Sequence, residues 1–299
     1  MDILQISHVS KAFGKNQVLK DLTFSVPEHS VFGFIGQNGA GKTTTMKMIL
    51  GLLRADQGEI LVNGERVVYG RGDTCRHIGC LPDVPEFYSF MTPAEYLDLC
   101  GQVTGMGRQE IRKRSGELLC QVGLEGVNRR IGGFSRGMKQ RLGIAQALMN
   151  SPRLLICDEP TSALDPVGRK EILEILQSVR EHTTVLFSTH ILSDVERICD
   201  RIGFLHGGSV VLEGSLEEVR GTRKGSLEVE FLREGDEEKF LGLYLEAVPG
   251  DKGKILVPQA EEGQVQELMG LLWKNALPVR RMEFLEPTLE ELFMEVVGK

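Results

Sequence analysis

The stretch VFGFIGQNGAGKTTTMKMIL, residues 31–50, decides the fold because a buried-strand pattern, a glycine-rich turn and a helical pattern follow one another in it. The apolar run over residues 31–36 is typical of a strand that is covered on both faces. The turn over residues 36–43 matches G-x4-G-K-S/T, whose glycines let backbone N–H groups close around phosphate oxygens. A helix that begins at this turn adds partial positive charge. The stretch therefore predicts a phosphate-binding loop between a strand and a helix.

The side chains of this loop predict its contacts with a nucleotide and a metal ion. We expect Lys42 to reach the β- and γ-phosphates and the hydroxyl of Thr43 to bind Mg²⁺. The predicted nucleotide contacts of the loop are Gly36, Gln37, Asn38, Gly39, Ala40, Gly41, Lys42, Thr43 and Thr44. The alternative, a glycine-rich turn without a ligand, is disfavoured by the strand–loop–helix context. The glycine spacing does not fit the G-x-G-x-x-G turn of dinucleotide-binding folds.

Two adjacent carboxylates, Asp158 and Glu159, follow a second apolar run at residues 154–157. Successive residues of a strand point to opposite sides, so the two carboxylates can take different roles. We expect one of them to hold Mg²⁺ and the other to polarise a water molecule. The alternative is a pair of solvated acids in a loop, and the sequence PTSALD that follows at residues 160–165 weakens it.

A third motif makes the chain similar to the ATPases of the ATP-binding-cassette (ABC) family. FSRGMKQR, residues 134–141, resembles the family's signature pattern L/F-S-G-G-Q followed by Gln-Arg, and it lies just before the carboxylate strand, as in that family. Ser135 and Gly137 keep the pattern, whereas Arg136 and Met138 depart from it. The departures are compatible with function, because the expected donors are the Ser135 hydroxyl and backbone N–H groups at a helix N-terminus.

The resemblance implies further site residues and their roles. Asp158 would bind Mg²⁺ with Thr43, and Glu159 would be the general base for the water that attacks the γ-phosphate. His190 resembles the family's switch histidine, which senses or stabilises that phosphate. Two more matches complete the set, namely Phe13 as the aromatic residue that stacks on adenine and Asp165 in the D-loop that crosses the dimer interface.

The resemblance also implies the partners of the chain. In the family, ATP lies between the phosphate loop of one copy and the signature residues of the other, here Ser135, Arg136, Gly137 and Met138. Because the chain holds one of each motif, we expect a second chain, and a homodimer is the simplest case. A separate integral-membrane permease would hold the chain at the inner face of the cell membrane, in the cytoplasm. The net charge of −7 argues against a nucleic-acid partner.

Asp83 is a departure from the family with an open interpretation. Residues 77–85, HIGCLPDVP, resemble I-G-Y-L-P-Q/E, in which the family places a glutamine that helps to bind Mg²⁺ and links the site to the membrane subunit. An aspartate can act on Mg²⁺ through a water molecule. The hypothesis is that Asp83 is an outer-shell Mg²⁺ residue and a coupling element. The alternative is a solvated loop carboxylate between Pro82 and Pro85.

Patterns along the whole chain predict an α/β fold. Residues 1–30 are predicted as a strand hairpin, and apolar strand patterns at 31–36, 154–157, 184–189 and 201–207 alternate with helical patterns, which indicates a mostly parallel sheet. The resemblance adds an antiparallel β subdomain and a helical subdomain to this core. No run of residues is long and apolar enough to predict a membrane span.

Helix starts are predicted where a polar side chain can accept a backbone N–H. Thr92 and Glu95 form a capping box with an intervening proline, and Ser193 and Glu196 form another. Asp165 precedes a proline at the start of a further predicted helix.

A composition change near residues 220–225 predicts two domains, an ABC ATPase domain over 1–218 and a small C-terminal α+β accessory domain over 222–299. Near the C-terminus, LEPTLEELF at residues 285–293 resembles the pattern P-S/T-L-E-D/E-V/L-F. That pattern marks the C-terminal extension of drug, bacitracin, lantibiotic and polysaccharide exporter ATPases, and it favours export.

The predicted function is ATP hydrolysis that powers a transporter, and the sequence disfavours two alternatives. A soluble ABC ATPase of DNA repair or translation would carry long coiled-coil insertions or two cassettes, and the roughly ninety residues between Lys42 and Ser135 lack sustained heptads. A binding-only subunit with inactive sites would not be expected to keep both Glu159 and His190. The six cysteines show no C-x2-C spacing and are predicted to be reduced.

Overall fold

A computed structural model describes residues 1–221, 225–250, 253–258, 260, 262–286 and 288–297 of the chain. Residues 222–224 of the predicted domain linker and Pro287 of the exporter-like pattern lie outside the described residues. The contacts within the chain divide it into two compact units, Met1–Leu216 and Glu217–Lys299.

The first unit contains the following strands and helices. Its strands are β1 (Asp2–Phe13), β2 (Asn16–Pro27), β3 (Val31–Ile35), β4 (Gln57–Val62), β5 (Glu65–Arg66), β6 (Ile78–Leu81), β7 (Leu154–Asp158), β8 (Thr184–Thr189), β9 (Arg201–His206) and β10 (Ser209–Ser215). Its helices are α1 (Lys42–Ile49), α2 (Pro93–Val103), α3 (Arg108–Gln121), α4 (Arg136–Ala147), α5 (Pro166–Val179) and α6 (Leu192–Ile198). A further helix, α7 (Leu216–Gly221), begins at the boundary between the units.

The central sheet has the order β10-β9-β3-β8-β7-β6, and only β10 pairs antiparallel in it. Strands β3 and β8 are buried along their whole length, because their apolar residues are covered on both faces. The carboxyl ends of parallel strands meet at one edge of a sheet, where ligands bind in open α/β folds. The loops that follow β3, β7 and β8 therefore share this edge, and the predicted mostly parallel α/β sheet is confirmed.

The second sheet is antiparallel, with the order β2-β1-β4-β5, and it includes the predicted N-terminal hairpin. Alternate residues of β1 and β2 face the core that this sheet shares with the central sheet. Phe24 of β2 stacks on Phe32 and Phe34 of β3, with ring centroids 5.6 and 5.0 Å apart. This packing fixes the end of β1, which carries Phe13, relative to the phosphate loop.

Two of the three predicted helix starts are confirmed. Thr92 and Glu95 form the reciprocal capping box of α2, and Asp165 caps α5 by accepting from Gly168 N at 2.8 Å. The predicted cap at Ser193 is wrong, because α6 begins two residues earlier and its N-cap is Ile191. A hydrogen bond from Ile191 N to Thr189 Oγ1 (3.0 Å) ties the chain to the end of β8 and moves the helix start towards it.

The second unit is an α+β structure, as the sequence predicts. Its elements are β11 (Ser226–Phe231), α8 (Asp236–Leu243), β12 (Val248–Pro249), β13 (Ile255–Val257), α9 (Glu262–Lys274), β14 (Val279–Leu285) and α10 (Leu289–Val297). The strands form an antiparallel sheet of order β12-β13-β11-β14. Its core includes Val229, Phe240 and Leu268.

Among the helices of both units, in the parts that the structure describes, none combines the length and the apolarity that crossing a bilayer requires.

Candidate nucleotide-binding site

The phosphate loop joins the buried strand β3 to α1, as the sequence predicts. Gly41, the N-cap of α1, has φ +113°, and a Cβ there would lie 2.6 Å from Leu19 Cδ2, so a side chain fits neither the backbone nor the space. Lys42 is buried, and its ammonium group donates to the carbonyl oxygens of Gly36 at 2.6 Å and Gln37 at 3.3 Å. These bonds hold the lysine charge inside the loop, where a phosphate would enter.

The other predicted contacts of the loop lie at its open side. Gln37, Asn38, Gly39 and Thr43 are exposed, whereas Ala40 and Thr44 are half-buried. The first residues of α1 supply backbone N–H groups that have no partner within the helix. The loop therefore presents backbone donors, a cation and a hydroxyl to one opening.

Thr43 and Asp158 meet although 115 residues separate them in sequence. The hydroxyl of Thr43 donates to Asp158 Oδ2 at 2.7 Å, and the hydroxyl of Ser188 donates to Asp158 Oδ1 at 2.6 Å. A hydroxyl beside a carboxylate suits Mg²⁺, which takes oxygen ligands from one or two protein groups, substrate phosphates and waters. Within the described residues no group of three His, Cys, Asp or Glu side chains could hold a metal ion.

Glu159 lies between two cationic or protonatable groups. Its Oε1 is 3.1 Å from Lys42 Nζ, and its Oε2 is 2.8 Å from His190 Nδ1, with 15% of the side chain exposed. An ionised carboxylate only accepts hydrogen bonds, so Nδ1 of His190 carries the proton in this contact. Glu159 also has φ +49°, a conformation that costs free energy in a residue with a side chain and is found at functional sites.

Ser188 is a site residue that the sequence analysis missed. Its side chain is fully buried, donates to Asp158 and accepts from the backbone N–H of Glu159 at 3.1 Å. One hydroxyl therefore contacts the carboxylate of Asp158 and the backbone of Glu159. A signal was present, since Ser188 is a polar residue near the end of a buried strand and lies two residues before His190 in sequence.

The signature residues begin α4. Ser135 is its N-cap, and its Oγ accepts from Met138 N at 3.3 Å, which leaves the hydroxyl hydrogen able to donate to another group. Ser135 and Arg136 are exposed, and Gly137 and Met138 are half-buried. The segment therefore presents a hydroxyl and a helix N-terminus at the surface.

Asp83 follows β6 and binds two side chains of the same unit. Its Oδ1 accepts from Ser162 Oγ at 2.6 Å and from Arg136 Nη2 at 3.2 Å, while 47% of its side chain is exposed. These contacts join three segments that the sequence analysis treated separately. The magnesium role of Asp83 stays a prediction.

Phe13 ends β1 with 51% of its surface exposed, so one face of the ring can receive a planar group. Lys11 Nζ lies 5.5 Å from the ring centroid and is held by Asp56 at 2.7 Å. Asp56 also accepts a hydrogen bond from Ala12 N at 2.7 Å. The hydrogen bond from Lys11, and after it the one from Ala12, lower the pKa of the Asp56 carboxyl. Asp56 thus anchors the strand end that carries Phe13.

A buried carboxyl lies behind the site. Asp194 of α6 is 2% exposed and accepts from the buried hydroxyl of Thr161 at 2.7 Å. Burial raises the pKa of the Asp194 carboxyl above its usual value. The hydrogen bond from Thr161 and the nearby charge of Arg169 lower this pKa, but by less than burial raises it. This contact links the turn after Glu159 to the helix that follows His190.

Two family models match the chain. One is described as ABC transporter and matches residues 19–162. The other is described as the C-terminal domain of the DrrA1-3-like ATP-binding protein and matches residues 214–297. The first match thus covers the phosphate loop, the signature segment and the carboxylate pair, and the second covers most of the C-terminal unit.

Among curated proteins, the chain is 37% identical over 301 residues to the uncharacterized ABC transporter ATP-binding protein YxlF of Bacillus subtilis, covering 99% of both chains. It is 32% identical over 304 residues to the bacitracin transport ATP-binding protein BcrA of Bacillus licheniformis, covering 99% of this chain and 97% of that one.

Solved structures agree with these relatives. An ATP-binding subunit of an ABC transporter superposes with a TM-score of 0.65 at 36% identity, covering 74% of this chain and 92% of the other. A dimeric ATP-binding cassette in a post-hydrolysis state, bound to ADP and phosphate, superposes with a TM-score of 0.63 at 27% identity, covering 71% and 98%.

Proposed function

The chain belongs to the family of ABC transporter ATP-binding proteins, and from this premise we propose that it binds and hydrolyses ATP to drive export through a separate membrane subunit. One observation carries the proposal, namely that Lys42, Thr43, Asp158, Glu159 and His190 converge at the carboxyl edge of the central sheet. Each side chain contacts another of this set at 3.1 Å or less. A phosphate loop beside a polar pair and a general base is the arrangement that phosphoryl transfer to water requires.

In this proposal residues 36–44 hold the phosphates of ATP, and Phe13 stacks on adenine. Thr43 and Asp158 would hold Mg²⁺, which when bound neutralises charge on the phosphates. Entry of the γ-phosphate gives Lys42 a new anionic partner and weakens its contact with Glu159. Glu159 can then accept a proton from water, and His190 is close enough to follow the phosphate.

The chain supplies half of two sites in this proposal. Ser135, with the start of α4, faces solvent in this chain, where it can serve ATP bound to another copy. Asp165 caps α5, and the D-loop that ends at it would cross the interface between copies. A homodimer built head to tail would complete both nucleotide sites at once, because each copy offers one phosphate loop and one signature segment.

A cleft beside the signature segment is a suitable contact for the membrane subunit. It measures about 440 Å³ and is lined by Asp83, Val84, Pro85, Glu86, Phe87, Ser89, Ile131, Gly132, Arg136 and Lys139. Three exposed apolar side chains lie in the same loop, namely Val84, Tyr88 and Phe90. Clustered exposed apolar groups with a polar rim favour a protein contact. We propose that a cytosolic segment of the permease docks there and holds the chain at the inner face of the membrane.

Export is favoured by two features. The relative BcrA is named for bacitracin transport, and the C-terminal family match covers residues 214–297. We propose that the unit that begins at Glu217 is the accessory domain predicted from sequence, and that the permease selects the cargo. The soluble alternative, an ABC ATPase of DNA repair or translation, is not favoured because the curated relatives are named as transporter ATP-binding proteins.

The test is Glu159→Gln in the full chain. The amide keeps the shape of the side chain but cannot accept the proton, so the variant should bind Mg-ATP, form a dimer in its presence and hydrolyse it very slowly. Dimerisation is measured by size-exclusion chromatography with light scattering, and hydrolysis by phosphate release. Glu181→Gln, at an exposed glutamate, is the matched control and should turn over normally. Near-normal turnover of Glu159→Gln would remove the base role, and absence of turnover in the parent would remove the proposed activity.

A further inference from the structure

We propose that Asp83 and Arg136 are a matched pair of positioning residues. The pair ties the signature segment of a chain to its own D-loop and so sets where Ser135 meets the nucleotide of the partner copy. The inference rests on the proposed function, since it assumes that the signature of one copy serves ATP bound to the other. It assigns to two of the three departures from the family patterns, Asp83 and Arg136, a joint role that neither has alone.

Three side chains from distant segments form a closed triangle of hydrogen bonds. Ser162 Oγ donates to Asp83 Oδ1 at 2.6 Å, and Arg136 Nη2 donates to the same oxygen at 3.2 Å. Arg136 Nη2 also lies 3.1 Å from Ser162 Oγ, which accepts from it. The donor and acceptor roles are consistent, because the guanidinium only donates and the carboxylate only accepts.

Helix α4 holds Asp83 at a second point. Gln140 is fully buried and lies four residues after Arg136, one turn along the same helix. Its Nε2 donates to the backbone carbonyl of Asp83 at 2.8 Å. The loop after β6 is therefore fixed to α4 by its backbone, and the direction of the Asp83 side chain is set by Arg136 and Ser162.

The location of the triangle makes it a positioning device rather than a source of stability. Arg136 and Asp83 are 43% and 47% exposed, and ion pairs of that exposure add little to the free energy of unfolding. Their chain neighbours belong to the proposed site, since Arg136 directly follows Ser135 and Ser162 precedes Ala163, which has φ +52° in the proposed D-loop. A shift of α4 is thus transmitted to the D-loop through two hydrogen bonds.

The pairing explains why both departures occur in one chain. A glutamine at position 83 would carry no charge to pair with the guanidinium, and a glycine at position 136 would have no side chain to reach the loop. If only one of the two departures were present, Arg136 would lack its anion or Asp83 its cation. Each substitution therefore makes chemical sense beside the other.

A double-mutant cycle in the full chain tests the pair. Asp83→Ala and Arg136→Ala should each lower kcat for ATP hydrolysis by about tenfold, which is in the range of coupling between contacting residues. The double variant should lose no more than the worse single variant. Affinity of the monomer for a fluorescent ATP analogue and the thermal midpoint should stay near the parent's, because none of the three side chains belongs to the phosphate loop. The charge exchange Asp83→Arg with Arg136→Asp should recover part of the lost kcat.

The control cycle uses Glu65 and Arg76, whose ion pair measures 2.6 Å with exposures of 38% and 64%. Alanine there should leave kcat unchanged. The proposal is overturned if the effects of Asp83→Ala and Arg136→Ala on kcat are additive, or if both variants lose thermal stability without a change in kcat. It is also overturned if Asp83→Ala alone raises the Mg²⁺ requirement, which would favour a direct magnesium role. Those results leave Glu159-dependent hydrolysis standing, whereas an inactive parent would remove the proposed function as well.

Discussion

Ser188→Ala is the sharpest test of how the nucleotide site is built. The hydroxyl of Ser188 donates to Asp158 at 2.6 Å and accepts from Glu159 N at 3.1 Å, and it is fully buried. Alanine removes the first bond outright. The backbone N–H of Glu159 keeps a second acceptor, the carbonyl oxygen of Ser188 at 3.2 Å, so no backbone donor is left without a partner. The main effect should therefore fall on Asp158.

The size of the effect follows from the charge on Asp158. A hydrogen bond to a charged group contributes about 1.5–3 kcal/mol to stability. For a unit of this size each kcal/mol moves the thermal midpoint by about 2–4 °C, so Ser188→Ala should lower it by about 3–12 °C. A residue that orients a metal ligand typically changes metal affinity by about 10- to 100-fold. The Mg²⁺ concentration for half-maximal hydrolysis should rise by that factor.

The assay is ATP hydrolysis against free Mg²⁺ at saturating ATP, alongside a thermal melt. Thr183→Val is the matched control, because Thr183 directly precedes the same strand, is also buried and donates to Pro152 O at 2.9 Å. Thr183→Val should lower the thermal midpoint without changing the Mg²⁺ concentration for half-maximal hydrolysis. If Ser188→Ala and Thr183→Val lower the midpoint equally and neither shifts the Mg²⁺ curve, Ser188 is an ordinary core residue and the argument fails.

Three further predictions concern the surroundings of the site. Phe13→Ala should weaken ATP binding by about 1–3 kcal/mol in a fluorescent-nucleotide titration, by analogy with base–aromatic stacking, and an unchanged affinity with a lower thermal midpoint would mark the ring as structural. Burial raises the pKa of Asp194, so the stability of the folded protein falls as the pH rises from the ordinary aspartate pKa through the raised one. Asp194→Asn keeps an acceptor for Thr161 and should stabilise the protein more at pH 7.5 than at pH 4. An equal change in stability at both pH values would contradict the burial argument. Burial raises the pKa of Cys80 to about 11, so a thiol reagent at pH 8 should label the exposed Cys75 first. Equal labelling rates of Cys75 and Cys80 would refute this prediction.

Local patterns in the sequence were sufficient for most of the fold. The apolar runs at 31–36, 154–157 and 184–189 are strands because they lack the polar alternation of a half-exposed sheet, and the loop at 36–43 fits between strand and helix. At Ser193 the structure differs from the prediction. Ser193 has the composition of a cap, but the local hydrogen bond from Ile191 N to Thr189 Oγ1 accompanies an earlier start of α6.

The sequence by itself determined the phosphate loop, the carboxylate pair and the signature segment, because each is a short run whose chemistry depends on neighbours along the chain. Only the tertiary structure decided which of these runs meet. The strand order β3-β8-β7-β6 places Ser188 against Asp158, and α4 brings Arg136 to Asp83 across 53 residues. Contacts at such separations depend on how strands are ordered and helices pack, which no local periodicity records.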